Sequence, residues 1–148
     1  MTVIEPAIVL SKLDAMMNYL NNLKRFESVT LEEYLADDDK QLIVERLLQL
    51  IIQVAIDVNR YLLKQLGIEP PESNYASFIE ISRQGIVTTE LAEILAASGS
   101  LRNRLVHLYE QIDPVQVHAA IPRALQHYPV YQRQVTEYLD SLEVENGD

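Results

Sequence analysis

Residues 39–66, DKQLIVERLLQLIIQVAIDVNRYLLKQL, are the longest part of the chain with an unbroken helical period. Aspartates at positions 37–39 offer an N-cap and first-turn acids, while Gly67 and the Pro70-Pro71 pair prevent continuation. We therefore expect one long helix from about Asp39 to Leu66. Its apolar residues cover more than the roughly 100° stripe that an amphipathic helix of a bundle needs.

Two arrangements would cover so wide an apolar surface. The main stripe comprises Leu42, Ile43, Leu47, Leu50, Ile51, Val54, Val58 and Leu62, and four further residues lie outside it: Leu48, Ile52, Ile56 and Leu63. The helix is either surrounded by its own chain or packed partly against a second copy. Symmetric dimers are the commonest oligomers, and we favour the homodimer.

The flanking sequence predicts further helices and nothing with the two-residue period of a strand. Expected helices run from Pro6 to about Phe26, from Thr30 to Ala36, from Tyr75 to Gln84, and from Thr88 or Thr89 to Ile112 with a kink near Gly99. Asp113 and Pro114 start another, which Pro122 should bend or end, and Pro129 opens a last one to about Glu143. The fold class is an all-α, single-domain helical bundle over residues 1–148, with a frayed acidic tail at 143–148.

Composition narrows the classes of function. The chain has 148 residues, no cysteine and a formal charge of −10. Disulfides and thiolate nucleophiles are excluded, and any nucleic-acid contact must use a local basic spot. The first residues lack the pattern of a signal peptide, and the run from Leu47 to Ile56 is too short and polar to span a bilayer. We expect a soluble, cytoplasmic protein.

The stretch from Arg102 to Tyr109, RNRLVHLY, concentrates groups that could perform chemistry. On a helix at about 100° per residue, Leu101, Leu105 and Leu108 form a core side, which Ile94 and Ile112 extend. A separate arc of about 160° holds Arg102, Asn103, His107, Tyr109 and Glu110, with Val106 inside it.

This arc is competent for phosphodiester chemistry without a metal. His107 can act as general base or acid, and Arg102 can neutralise phosphate charge. Asn103 could orient the imidazole of His107 or a phosphate oxygen. Tyr109 follows Arg102 by seven residues and nearly eclipses it. The spacing alone fits an ordinary solvated helix surface as well.

The segment Arg102–Tyr109 resembles the Arg-x4-His-x-Tyr signature of HEPN-domain toxins of the HepT type. Residues 45–50, 57–59, 78–91 and 113–114 are similar to the family's long second helix and to the flanks of its motif. The resemblance implies a homodimeric, metal-independent RNA endonuclease toxin with Arg102 and His107 as the catalytic pair. Two copies of Arg102 and Arg104 would supply the local basic spot, with Asn103 and Arg104 in supporting roles.

The resemblance also implies a partner and a means of control. Members of the HepT group pair with a nucleotidyltransferase antitoxin of the MNT type, which attaches AMP to the motif tyrosine, here Tyr109. The alternative function is a noncatalytic helical adaptor that binds a nucleotidyltransferase or a nucleotide through the same face.

Other polar residues are weaker candidates. Four residues form a polar stripe on the long helix and either line the cleft or are simply solvated: Glu45, Gln49, Gln53 and Asp57. His118 and His127 have no partners at metal-ligand spacing, and both are interpreted as surface or packing residues. The chain has no phosphate-cradling glycine loop. We expect neither a metal nor a cofactor.

Overall fold

The computed structural model describes residues 3–107 and 112–146, apart from the side chains at 100, 103, 106, 107 and 144–146. Every regular element in these ranges is a helix, and none is long and apolar enough to cross a membrane. The elements are α1 (Pro6–Lys24), α2 (Leu31–Leu35), α3 (Asp38–Gln65), α4 (Asn74–Arg83), α5 (Thr89–His107) and α6 (Pro114–Asn146). The all-α prediction is confirmed.

The helix ends follow the local signals in the sequence. Thr30 and Glu33 form the expected capping box at the start of α2. Gly67 has a φ of 76°, and the amide of Ile68 donates to the carbonyl of Leu63 at 2.9 Å, which satisfies a carbonyl at the end of α3. Thr88 caps α5, and its hydroxyl accepts from the amide of Leu91 at 3.2 Å.

Helix α3 lies at the centre of the bundle, because α1, α2, α4, α5 and α6 all pack against it. The four apolar residues outside its main stripe are at most 2% exposed within a single chain: Leu48, Ile52, Ile56 and Leu63. The chain itself therefore covers the apolar surface that favoured a second copy. Two residues of the main stripe, at the start of α3, are exposed: Leu42 is 53% exposed and Ile43 is 49% exposed.

Helix α6 corrects the prediction for the C-terminal region. We expected Pro122 to bend or end a helix and Pro129 to open another, but α6 runs from Pro114 to Asn146 with both prolines inside. It also continues beyond Glu143, into the expected acidic tail. A proline in a helix interior costs about 3 kcal/mol. A buried stripe continues past both prolines and offsets that cost: Val117, Ile121, Ala124, Tyr128, Tyr131, Val135 and Leu139.

A buried polar network fixes α6 against α3 and α4. The hydroxyl of Tyr131 donates to Asn59 Oδ1 at 2.6 Å, and Asn59 Nδ2 donates to Ser77 Oγ at 3.2 Å. Ser77 Oγ in turn donates to the carbonyl of Asn74 at 2.7 Å, at the start of α4. Asn59 and Ser77 are fully buried, and the chain of bonds satisfies them and sets the register of the three helices.

Candidate active site

Helix α5 carries the first part of the motif, residues 102–107, and its position depends on a close contact with α4. A Cβ at Gly99 would lie 3.1 Å from backbone atoms of Asn74 and Tyr75. The glycine therefore permits close approach of the two helices. Helix α5 continues through Gly99, from Thr89 to His107. Arg102 follows Gly99 by three residues, which places it on the side of α5 that faces the start of α4.

Arg102 is half-buried, so this residue of the arc is not simply solvated. Its Nε is fully buried and has no hydrogen-bond partner in the part of the chain that the structure describes. A buried guanidinium N–H without an acceptor is costly. The other N–H groups of the guanidinium, rather than the buried Nε, are the donors that an anionic ligand could use.

Three of the expected site groups lie outside the described residues. These are the side chains of Asn103 and His107 and the whole of Tyr109. The backbone of α5 includes position 107, which follows Arg102 by five residues and Arg104 by one helical turn.

The opposite side of α5 packs on the core with one change from expectation. Leu105 is 7% exposed, and Leu101 and Ile112 are half-buried against the core. Ile94 was expected on this apolar side, but it is 41% exposed. The residues that hold the first half of α5 in the core are instead Leu91, Ala92, Leu95 and Ala96.

A cavity of about 160 Å³ lies between α3, α5 and α6, on the side of α5 that carries Leu101 and Arg104. Arg104 is exposed at its edge, together with Arg123 of α6, and the half-buried His127 also lines it. Arg123 was not among the residues expected at a site, and His127 was expected to be a surface or packing residue. Their spacing of four residues on one helix face was the available signal.

The polar stripe on α3 divides into two parts. Gln53 Nε2 donates to Asp57 Oδ1 at 2.8 Å, while Gln53 Oε1 is buried without a partner among the described residues. Glu45 lies two turns earlier, where burial raises the pKa of its carboxyl. Burial, and secondarily the charge of Glu45, raise the pKa of Tyr34. Gln49 is half-buried between these two parts.

His118 has a packing role, as expected. Its Nε2 lies 2.7 Å from the carbonyl of Val29, and its ring centroid lies 5.4 Å from that of Tyr34. These contacts join α6 to the segment before α2. In the described ranges, no three His, Asp or Glu side chains come close enough together to hold a metal ion.

Comparisons with known proteins agree in family and in fold. A family profile described as Ribonuclease HepT-like matches residues 16–137. The chain is 50% identical over 146 residues to the tRNA nuclease HepT of Aphanizomenon flos-aquae, and the alignment covers 99% of each chain.

Two solved structures show the same fold at low identity. A cytosolic protein of unknown function, YutE from Bacillus subtilis, has a TM-score of 0.82 at 17% identity, covering 100% of this chain and 97% of that one. A tri-AMPylated HEPN toxin of Shewanella oneidensis, in complex with its MNT antitoxin, has a TM-score of 0.78 at 19% identity. That alignment covers 88% of this chain and 97% of the toxin.

Proposed function

Because the chain belongs to the HepT-like ribonuclease family, we propose that it is the toxin of a toxin–antitoxin pair and cuts RNA as a metal-independent endonuclease, with Arg102 and His107 as the catalytic pair. The observation that carries this proposal is the half-buried cationic Arg102 on α5, five residues before position 107. Such a group stabilises the negative charge that develops on a phosphate during transfer.

The reaction needs only the substrate's own hydroxyl as nucleophile. His107 takes the proton from the ribose 2′-hydroxyl, whose oxygen attacks the adjacent phosphorus. The bond from phosphorus to the 5′-oxygen breaks, and that oxygen receives the proton back from His107. The products are a 2′,3′-cyclic phosphate and a 5′-hydroxyl. Arg102 holds the phosphate, and Asn103 and Arg104 support the site.

The far wall of the cleft is formed in this proposal by α3. Ile52 of α3 and Leu101 of α5 line the same cavity, so these two helix segments lie side by side. Gln53 follows Ile52, and Arg102 follows Leu101. Gln53 has a buried acceptor, Oε1, and Arg102 has a buried donor, Nε, and neither atom has a described partner. Asp57 holds the amide of Gln53 and directs its carbonyl oxygen.

The test replaces Arg102 or His107 by alanine. Loss of a general acid–base group lowers the rate by about 10²–10⁴-fold, so RNA cleavage and growth toxicity should both disappear. Arg133→Ala is the matched control, since this arginine is exposed on α6. Cleavage should persist in EDTA. Full activity of His107→Ala, or loss of activity with chelator, would contradict the mechanism.

Assembly is the second part of the proposal. Leu42 and Ile43 expose apolar surface at the start of α3, and the family implies a homodimer with the two motifs across one cleft. Light scattering at micromolar concentration should give a dimer. A monomer that still cleaves RNA would refute the composite cleft.

Control by AMP is the third part. A HEPN toxin of this fold is tri-AMPylated in complex with its MNT antitoxin. The resemblance of residues 102–109 to the HepT signature implies Tyr109 as the position that carries AMP here. AMP on Tyr109 would place a phosphate near Arg102 and compete with RNA. Tyr109→Phe should cut RNA but resist silencing by the nucleotidyltransferase with ATP. Equal silencing of both proteins would exclude Tyr109 as the control point, and binding of the partner without any cleavage would favour the adaptor.

A further inference from the structure

We propose that the cavity between α3, α5 and α6 is a nucleotide-binding subsite, in which one base of single-stranded RNA enters the cavity while its phosphate contacts Arg104 and Arg123. The inference rests on the proposed function, because it assigns the cavity to the same RNA that Arg102 and His107 would cut.

The size and lining of the cavity suit a single flat ring. Its volume of about 160 Å³ is close to the roughly 150 Å³ that holds one benzene in an engineered protein cavity. The floor is apolar and buried, with Leu48, Ile52 and Ala124 at most 5% exposed. Tyr128 also lies there, and its hydroxyl is already hydrogen-bonded to Ser98 at 2.6 Å. An unstacked base gains most from an apolar platform of this kind.

The rim of the cavity is cationic although the chain is acidic. Arg104 of α5 and Arg123 of α6 are exposed and line the opening with His127 and Gln116. No carboxylate is among the described side chains that line it. In a chain of formal charge −10, two arginines without a lining acid make a local site for an anion. Gln116 and His127 can hydrogen-bond to the edge of a base.

The cavity also lies close to the proposed reaction centre. Arg104 is on the motif helix one turn before position 107, so these two positions share a face of α5, whereas Arg102 lies about 200° away around the helix. An RNA strand with its scissile phosphate beside position 107 could therefore reach the rim with a neighbouring nucleotide. Charge together with an apolar ring-sized space favours a nucleotide over a purely apolar partner.

The experiment uses full-length protein and a fluorescent oligothymidylate hexamer, which has no 2′-hydroxyl and cannot be cleaved by the proposed reaction. Arg123→Gln should weaken binding about tenfold at low salt. It should also reduce the slope of log Kd against log salt by about 0.7, the value for one lost phosphate contact on a single strand. Arg133→Gln, also on α6, is the matched control and should change neither quantity.

A second variant tests the cavity separately from the charge. Ala120 is half-buried and lines the cavity, so Ala120→Phe places a ring in the space intended for the base. It should weaken binding by about tenfold or more without changing the salt slope. Thermal melting verifies that the variant folds, and Arg123→Gln, at an exposed position, tests the proposal without altering the core.

The results separate this inference from the proposed function. Unchanged probe affinity and unchanged KM in Arg123→Gln and Ala120→Phe, in a protein that cleaves RNA, would overturn the subsite and leave the ribonuclease intact. Probe binding that depends on both residues, in a protein without cleavage, would support the subsite and refute the ribonuclease. A change in oligomeric state of Ala120→Phe with unchanged probe affinity would assign the cavity to a contact between copies and overturn the proposal.

Discussion

Removal of the Tyr131 hydroxyl should destabilise the protein by a predictable amount. Tyr131→Phe keeps the ring but deletes the only described donor to Asn59 Oδ1, which is fully buried. A buried acceptor left without a partner costs about 1–3 kcal/mol. A domain of this size loses about 2–4 °C in Tm per kcal/mol, so the expected fall is about 2–12 °C.

Thermal unfolding followed by circular dichroism measures this effect, with Tyr128→Phe as the comparison. Tyr128 bonds to Ser98, whose hydroxyl still donates to the carbonyl of Leu95 when the tyrosine hydroxyl is gone. Tyr128→Phe should therefore cost less. Combining Tyr131→Phe with Asn59→Leu should cost less than the sum of the single variants, since both partners are removed. A Tm for Tyr131→Phe within 1 °C of the parent, or a larger loss in Tyr128→Phe, would refute the reasoning.

Three further variants test other parts of the fold by the same melting measurement. Gly99→Leu should destabilise the protein by about 1–3 kcal/mol because its side chain meets the backbone of α4, and an unchanged Tm would contradict that contact. Pro122→Ala should stabilise α6 by up to about 3 kcal/mol, and a loss would show that α6 needs the proline. Burial raises the pKa of Glu45, so the folded state binds this proton more tightly than the unfolded state. The stability contributed by the protonated form of Glu45 is lost as pH rises through its folded pKa. Glu45→Gln should therefore raise Tm at pH 7 and have little effect near pH 4. Glu69→Gln, in an exposed loop, is the control.

The sequence predicts helix ends well where a few neighbouring atoms determine them. The Thr30–Glu33 capping box and the glycine at position 67 each act within one turn, and both have the expected geometry. Asp113 likewise accepts from the amide of Val115 at 3.0 Å, with Pro114 at the first helical position. These signals need no knowledge of the rest of the fold.

The prolines of α6 show where local rules fail. Propensity alone ends a helix at Pro122 or Pro129, but tertiary packing decides the outcome. The buried stripe from Val117 to Leu139 keeps its spacing of three and four residues past both prolines. That continuity was visible in the sequence and indicates one helix.

The two explanations for α3 could not be separated from its own sequence. Both predict apolar residues such as Leu48 and Ile56 outside the main stripe, and only the positions of the other helices show that the chain buries them. The cavity is similar in this respect, since Arg104 and Arg123 are 19 positions apart in sequence and line the same cavity only because α5 packs on α6. Long-range packing creates such a site, and periodicity within one helix does not report it.

The acidic composition and an RNA substrate are compatible because of the range over which charges act. At physiological ionic strength the Debye length is about 8 Å, so carboxylates farther away are largely screened from a bound phosphate. Arg104 and Arg123, which the proposed subsite places in contact with a phosphate, are not screened from it. The formal charge of −10 then weakens nonspecific binding of long RNA along the surface. In the proposed mode of binding, a short strand that reaches Arg102 and the cavity avoids most of this repulsion, so the acidic surface would favour local, shape-dependent binding.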